Sequence, residues 1–217
     1  GVLVEIPVGL EEAIDSNGTL RKLMTGTNLG IKGDWGVSLN GVLEKIKYEV
    51  ALTRGTGNEW HTDGDPFVVA GRIGTSTDTE GFLGVPEYGI SFFHGKVDGT
   101  PNPRKRTRIG VDGRWYFGPM GIMTELSVGK DGEDEIINAL AEINWHNPEE
   151  SLVLYVQNRL FHRNFPTGWD EAISLIEGVR YTPNNNWAFS AQFQQELSNM
   201  GGRGRDAMGS LQIRYRF

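Results

Sequence analysis

The sequence predicts an all-β protein, an antiparallel transmembrane β-barrel of about 12 strands with short periplasmic turns and longer extracellular loops. Apolar and polar residues alternate with period two along most of the chain, which is typical of strands with two different faces. Most of the alternating segments run for 8–11 residues, a length that suits a tilted membrane-spanning strand. The connections alternate between short and long, as they do in outer-membrane barrels.

The C-terminal strand shows the alternation most clearly, because apolar and polar residues alternate strictly from Leu211 to Phe217. The same pattern predicts the full set of strands. In chain order they are Val2–Val8, Trp35–Leu43, Lys45–Arg54, Phe67–Gly74, Tyr88–Val97, Arg108–Phe117, Met120–Val128, Ile137–Trp145, Leu152–Gln157, Ile173–Tyr181, Trp187–Gln194 and Ala207–Phe217. No linker or charge run divides them, so residues 1–217 are predicted to form a single β-barrel domain.

The connections between these strands are predicted to be of two kinds. Short turns are expected at Gly118-Pro119, His146–Glu150 and Pro183–Asn186, and longer polar loops at Asp98–Lys105, Lys130–Glu135, His162–Asp170 and Ser198–Asp206. The segment Thr75–Pro86 is long where a short turn is expected. The longest break, Gly9–Asp34, is expected to be either a loop folded over or into a pore or a short plug-like helix.

Composition excludes several classes of protein. The chain has 217 residues, 30 glycines, no cysteine and a formal net charge of −7. Without cysteine there is no disulfide framework and no thiol or cysteine-based zinc chemistry. The acidic balance argues against a nucleic-acid binder. The sequence has no apolar run long enough for a transmembrane helix.

The two faces of the predicted strands differ in content. Large aromatic residues, such as Trp115, Trp145 and Trp187, stand at strand ends on the apolar face, as in the interfacial girdles of membrane barrels. Asn158 and Glu177 interrupt this face. The opposite face mixes small residues with Arg, Glu, Asn and Gln, which suits a water-filled lumen.

Short motifs add a resemblance. The C-terminal alternation that ends in Phe217 resembles the assembly signal of bacterial outer-membrane proteins. The segments Pro7-Val8-Gly9-Leu10-Glu11, Asp34-Trp35-Gly36-Val37-Ser38-Leu39-Asn40-Gly41, Tyr48-Glu49-Val50-Ala51-Leu52 and Gly55-Thr56-Gly57 look like the phosphate-selective porin O and P family. The resemblance implies a bacterial outer-membrane location and recognition of the last strand by the barrel-assembly machinery. It also implies passage of small solutes. No residue of this chain is assigned as a phosphate ligand.

The candidate functional residues are charged side chains on the polar face. The predicted pore-lining residues are Lys47, Arg72, Arg108, Arg114, Glu125, Glu142, Arg159, Arg180 and Arg214. Basic residues outnumber acidic ones on this face, and rings of Arg and Lys favour anions in pores. The alternative is that the arginines pair with the acids and only brace the lumen. Both interpretations stay open at this point.

The expected function is therefore a porin-like channel in the bacterial outer membrane for passive diffusion of small anionic solutes. The alternative is a plugged or partner-filled structural barrel, for example a scaffold for an electron-transfer complex. A soluble carbohydrate-binding β protein using Trp60, Trp169 and His162 is a third possibility. The expected partners are membrane lipid and lipopolysaccharide, with assembly into a homo-oligomer or a protein complex left open.

No catalytic residue, metal ligand or cofactor is predicted. The four histidines are not spaced as a metal-binding pair and share no motif with a nucleophilic serine. Gly201-Gly202-Arg203-Gly204 lacks the Lys-Ser/Thr of a phosphate-binding loop. The sequence therefore predicts a channel or structural protein and not an enzyme.

Overall fold

The computed structural model describes residues 2–10, 20, 28–59, 65–75, 86–98, 104–149, 151–165, 168–198 and 206–216. All of the regular elements described are β-strands. They are β1 (Val2–Glu5), β2 (Gly33–Leu43), β3 (Ile46–Thr53), β4 (Phe67–Thr75), β5 (Glu87–Val97), β6 (Arg104–Phe117), β7 (Met120–Asp131), β8 (Asp134–His146), β9 (Leu152–Phe165), β10 (Gly168–Tyr181), β11 (Trp187–Ser198) and β12 (Ala207–Tyr215).

The twelve strands form one antiparallel sheet in which each strand pairs with its neighbours in sequence. This confirms the predicted all-β class, the antiparallel arrangement and the number of strands. The sheet is not closed: β1 pairs only with β2, and β12 pairs only with β11. Moreover, β1 covers only Gly33–Gly36 of β2, so the rest of β2 also lies at the edge.

Several predicted boundaries were wrong. β1 ends at Glu5 and not at Val8. The predicted loops Lys130–Glu135 and His162–Asp170 are almost entirely strand, since β7 and β8 are joined by Gly132-Glu133 and β9 and β10 by residues 166–167. Gly132 makes the first of these tight connections possible with a φ of 66°, in the left-handed region. The polar residues that suggested loops lie on strand ends, where both faces of the sheet are polar.

Burial separates the two faces of the sheet in an unusual way. The inner face carries polar residues that are covered, including Arg108 (1% exposed), Glu142 (1%) and Gln157 (0%). The outer face carries apolar residues that are open, including Ile109 (60%) and Leu211 (86%). A sheet in water normally shows the reverse arrangement, because the transfer of apolar side chains out of water is favourable.

The outer face also contains the two predicted exceptions. Asn158 and Glu177 are exposed, and Glu177 lies opposite the outer-face residues Val156 and Phe193 on the neighbouring strands. The prediction that these two polar residues interrupt the apolar face is therefore confirmed.

Aromatic side chains cluster on the outer face at one end of the sheet. Trp115 packs edge-on against Tyr88 at 5.6 Å between ring centroids, and its Nε1 donates to the Tyr88 hydroxyl at 3.1 Å. Trp187 stacks on Phe189 at 5.9 Å and contacts Tyr215 at 4.7 Å. The Trp and Tyr side chains each combine an apolar ring with a polar O–H or N–H group, which is the combination found where an apolar phase meets water.

Candidate functional site

The inner face is partly covered by two stretches of the connection between β1 and β2. These stretches, Ile6–Leu10 and Asn28–Lys32, are named the inner segment here. Its apolar residues are buried against β4 and β5, in a cluster of Ile6, Val8, Leu29, Ile31, Val68, Ala70, Phe93 and Val97. Leu10 packs separately with Met123 and Leu140 of β7 and β8. The apolar patches on the inner face are therefore the places where this segment lies.

Arg108 holds the inner segment to the sheet. Its Nε donates to the Asn28 side-chain oxygen at 2.7 Å, and one terminal nitrogen donates to the Asn28 carbonyl at 3.0 Å. The same nitrogen donates to Asp131 at 2.6 Å, and the other donates to the Thr107 and Lys130 carbonyls at 2.9 and 2.8 Å. All five N–H donors of the guanidinium are thus used, and none remains for a solute.

Two further contacts fix the inner segment to β7. The Leu10 backbone N–H donates to the buried carboxylate of Glu125 at 3.0 Å, and the Asn28 amide donates to the Ser127 hydroxyl at 2.6 Å. Gly9 adopts a φ of 65°, and a Cβ at this position would overlap the Glu125 carboxylate. The left-handed backbone at Gly9 therefore favours glycine, and a larger residue would have to displace the Glu125 carboxylate.

Two other arginines on the inner face are committed to carboxylates. Arg72 makes a bidentate contact with Asp112, at 2.9 and 2.5 Å. It reaches β6 by passing over Gly89 of β5, where any Cβ would overlap the guanidinium. Arg114 pairs with Glu87 in a half-exposed ion pair at the end of the sheet. These pairs match the bracing role that the sequence left open for some of the arginines.

On β8, β9 and β11 the inner face carries a network of uncharged amides around one acid. The Glu142 carboxylate accepts from the Asn144 amide at 3.0 Å and from the Gln157 amide at 3.1 Å. Further along, the Tyr155 hydroxyl donates to Gln192 at 2.9 Å. These hydrogen bonds leave Glu142 buried while satisfying its charge with neutral donors.

The remaining predicted residues lie on other parts of the inner face. Lys47 stands on β3, half-buried, in register with Gly74 of β4. Arg159, Arg180 and Arg214 stand half-buried on β9, β10 and β12, at alternate positions that share the inner face with Gln157 and Gln192. The acidic inner-face residues of β9–β12 are Asp170 and Glu196. They lie at one end of this part of the sheet, whereas Arg180 and Arg214 lie at the other end.

Two of the motifs that suggested a family meet in space. The Asp34 carboxylate accepts from the backbone N–H groups of Gly55 and Thr56, the latter at 3.1 Å, and Trp35 Nε1 donates to the Asn58 carbonyl at 3.1 Å. Asp34 is fully buried. The motif therefore anchors the connection between β3 and β4 to the start of β2, which is a structural role.

No protein-family model matches this chain, and no curated protein is significantly similar to it. The resemblance to the phosphate-selective porin O and P family therefore stays a prediction. What the chain can do must be argued from the geometry of its two faces.

The sequence placed Arg108 and Glu125 on the polar face, but it did not find Asn28 and Asp131, which complete the contacts of the inner segment. Asn28 lies in the long break, where no alternation exists to assign it a face. The alternation placed Ser127 on the polar face with Glu125, whereas Asp131 fell in the predicted loop Lys130–Glu135 and lies on the inner face of β7. Phe217 and Trp60, to which the sequence assigned roles, lie outside the described residues.

The described residues contain few features of other kinds of site. No group of three or more His, Asp or Glu side chains in this part of the chain is arranged to hold a metal ion. No helix among the described residues is long and apolar enough to cross a membrane. The inner face is a polar, hydrogen-bonding surface. Arginines lie on its β9–β12 part, and the inner segment packs on its β4–β8 part.

Proposed function

We propose that this protein is a porin-like β-barrel channel of the bacterial outer membrane, through which small anionic solutes diffuse passively. One observation carries the proposal: the outer face is apolar and open, while the inner face is polar and covered. This arrangement costs free energy in water and is favourable when hydrocarbon surrounds the outer face. No catalytic step is part of this proposal.

The dimensions of the sheet support a membrane span. The strands from β5 to β11 have 11 to 14 residues, and a transmembrane strand tilted at about 45° needs about 9–11. The aromatic cluster of Tyr88, Trp115, Trp187 and Tyr215 matches the girdle found at membrane interfaces. Lipid and lipopolysaccharide are then the surroundings of the outer face, and the barrel-assembly machinery is the proposed partner in insertion.

The anionic preference is supported by the inner face of β9–β12. Arg159, Arg180 and Arg214 lie there among amides and hydroxyls, away from the inner segment, which packs on β4–β8. We propose that solutes pass along this side of the lumen. Guanidinium groups that line a water-filled path attract anions and can bind them bidentately.

The proposal is tested by conductance of the detergent-purified protein in a planar bilayer across a salt gradient. Stable conductance steps with a reversal potential on the anion side are expected. A folded, heat-modifiable protein that inserts but stays silent would favour the second candidate, a plugged structural barrel. The anchoring of the inner segment by Arg108 is the observation that favours this candidate. A protein that is monodisperse without detergent would contradict both candidates and favour a soluble β protein.

Closure of the sheet is a separate part of the proposal. In a bilayer, unpaired backbone groups at the edges of β1, β2 and β12 would be costly, so we propose that β12 pairs with the β1–β2 edge. Twelve strands give the antiparallel pairing that a meander requires. The high exposure of Val2 (70%), Val37 (65%) and Leu211 (86%) is consistent with a missing lateral neighbour at these edges.

Introduced cysteines can test closure, since the natural sequence has none. The pairs Leu3→Cys with Leu211→Cys and Val37→Cys with Leu211→Cys sample two registers on the outer face. An intramolecular disulfide is expected in at least one pair, seen as a faster band on non-reducing gels. Ile109→Cys with Leu211→Cys, which joins β6 to β12, serves as the control and should give none. Crosslinks that form only between chains would show that the edges pair with a second copy.

A further inference from the structure

Three lysines stand side by side on the outer face, at the end of the sheet opposite the aromatic cluster. Lys96, Lys105 and Lys130 lie on β5, β6 and β7, and all three are exposed. Lys96 and Lys105 are direct cross-strand partners, and Lys130 is the partner of Thr107, two residues along from Lys105. These residues are named the lysine row.

Lys96 and Lys105 have no acidic cross-strand partner in the described strands. None of the three lysines makes an ion pair within the described part of the chain. Glu135 faces Lys130 across the strands, while Asp98 and Glu133 lie in the connections beyond the row. Like charges that are direct cross-strand partners are destabilising, so Lys96 and Lys105 are an unfavourable pair unless an anion lies between them.

Along the outer face, the residues change from polar to apolar to aromatic between the lysine row and the other end of the sheet. From the row, the next residues are His94 and Thr107, which share a hydrogen bond of 3.0 Å, followed by the apolar residues Phe92 and Ile109. The aromatic end begins at Tyr88, eight residues from Lys96 and roughly 26 Å along the strand. At a tilt of about 45° this length spans a height of about 18 Å, and the long lysine side chains extend it toward the edge of an apolar band about 25 Å tall.

We propose that the lysine row is a binding site for the anionic phosphate of a membrane lipid headgroup. This inference rests on the proposed membrane insertion. With the apolar band in hydrocarbon, the row lies at the depth of the headgroups, and long lysine side chains reach toward that layer. Lys96 and Lys105 bind the phosphate between them, the acyl chains lie along Phe92 and Ile109, and Lys130 adds attraction at the side.

The test compares lipid binding by matched variants in detergent micelles, using native mass spectrometry. The probes are phosphatidylglycerol and diacylglycerol with the same acyl chains, which differ in the headgroup phosphate. The test variant is K96S/K105S, and the control is K45S/R216S, which removes two exposed charges at the other end of the sheet. We expect phosphatidylglycerol binding to weaken roughly tenfold or more in the test variant only, and diacylglycerol binding to be unchanged.

Four results would overturn the inference. Equal loss in both variants would show a general charge effect, and no loss in either would show that the row does not bind lipid. Competition by millimolar inorganic phosphate would assign the site to a free anion. If the wild-type protein fails to insert into bilayers, the proposed function fails as well, whereas insertion with unchanged lipid binding rejects the lysine row alone.

Discussion

Replacing Arg108 with methionine is expected to lower the free energy of unfolding by about 3 kcal/mol, because the buried carboxylate of Asp131 loses its partner at 2.6 Å and keeps only Arg106, whose Nε lies 3.8 Å away. The change also removes both hydrogen bonds from Arg108 to Asn28, so the inner segment is held less firmly, by Glu125, Ser127 and its apolar contacts. Denaturant unfolding followed by tryptophan fluorescence measures the first effect. Single-channel conductance measures the second and is expected to rise, since the inner segment then leaves β6 and β7 uncovered more often.

Arg114→Met is the matched control for this experiment. Arg114 also pairs with a carboxylate on the sheet, that of Glu87, but both side chains are partly exposed, at 22% and 30%. Exposed ion pairs contribute about 0–1 kcal/mol, so this variant should remain close to the wild type in both stability and conductance. Similar losses in the two variants would contradict the anchoring role of Arg108.

The double substitution R180E/R214E is expected to reverse the ion preference of the proposed channel. Both residues lie on the inner face of β10 and β12, so the change replaces two positive charges in the proposed solute path with two negative ones. Each charge a few ångströms from an ion in water is worth about 1 kcal/mol, which predicts at least a severalfold change in the permeability ratio. The reversal potential across a potassium chloride gradient should move to the cation side.

Lys45→Glu provides the comparison for the charge reversal. Lys45 is exposed in the tight turn between β2 and β3, outside the inner face. The expected result is a small change in reversal potential at most, which falls further as salt screens the charge. An unchanged reversal potential in R180E/R214E, with conductance preserved, would mean that the solute path does not pass β10–β12.

The alternation of residue types predicted the strands because it depends only on the pleat of each strand. It also assigned Arg108, Glu125 and Glu142 to the polar face, where the structure has them buried. The alternation does not report which residues of the inner segment meet which residues of the inner face. Arg108 and Asn28 are 80 residues apart in sequence, and Leu10 and Glu125 are 115 apart, so no local pattern could have paired them.

The same limit explains the errors at the strand ends. Asp134 and Arg163, which form an ion pair at 2.6 Å, appeared to belong to polar loops. They lie on β8 and β9, beyond the point where the outer face is apolar, so the two-faced pattern fades while the strands continue. Sequence alternation therefore predicted the apolar span of each strand better than its full length.

The arrangement of the sheet has a consequence for the order of folding. Every strand pair joins neighbours in the chain. The sheet can therefore form from successive hairpins, for which the entropic cost of loop closure is small. The contacts of Asn28 and Leu10 are different, because they require β6 and β7 to have presented Arg108, Ser127 and Glu125 on one face. The segment around Leu10 and Asn28 would therefore be the last to settle, although it is synthesised before the strands that it contacts.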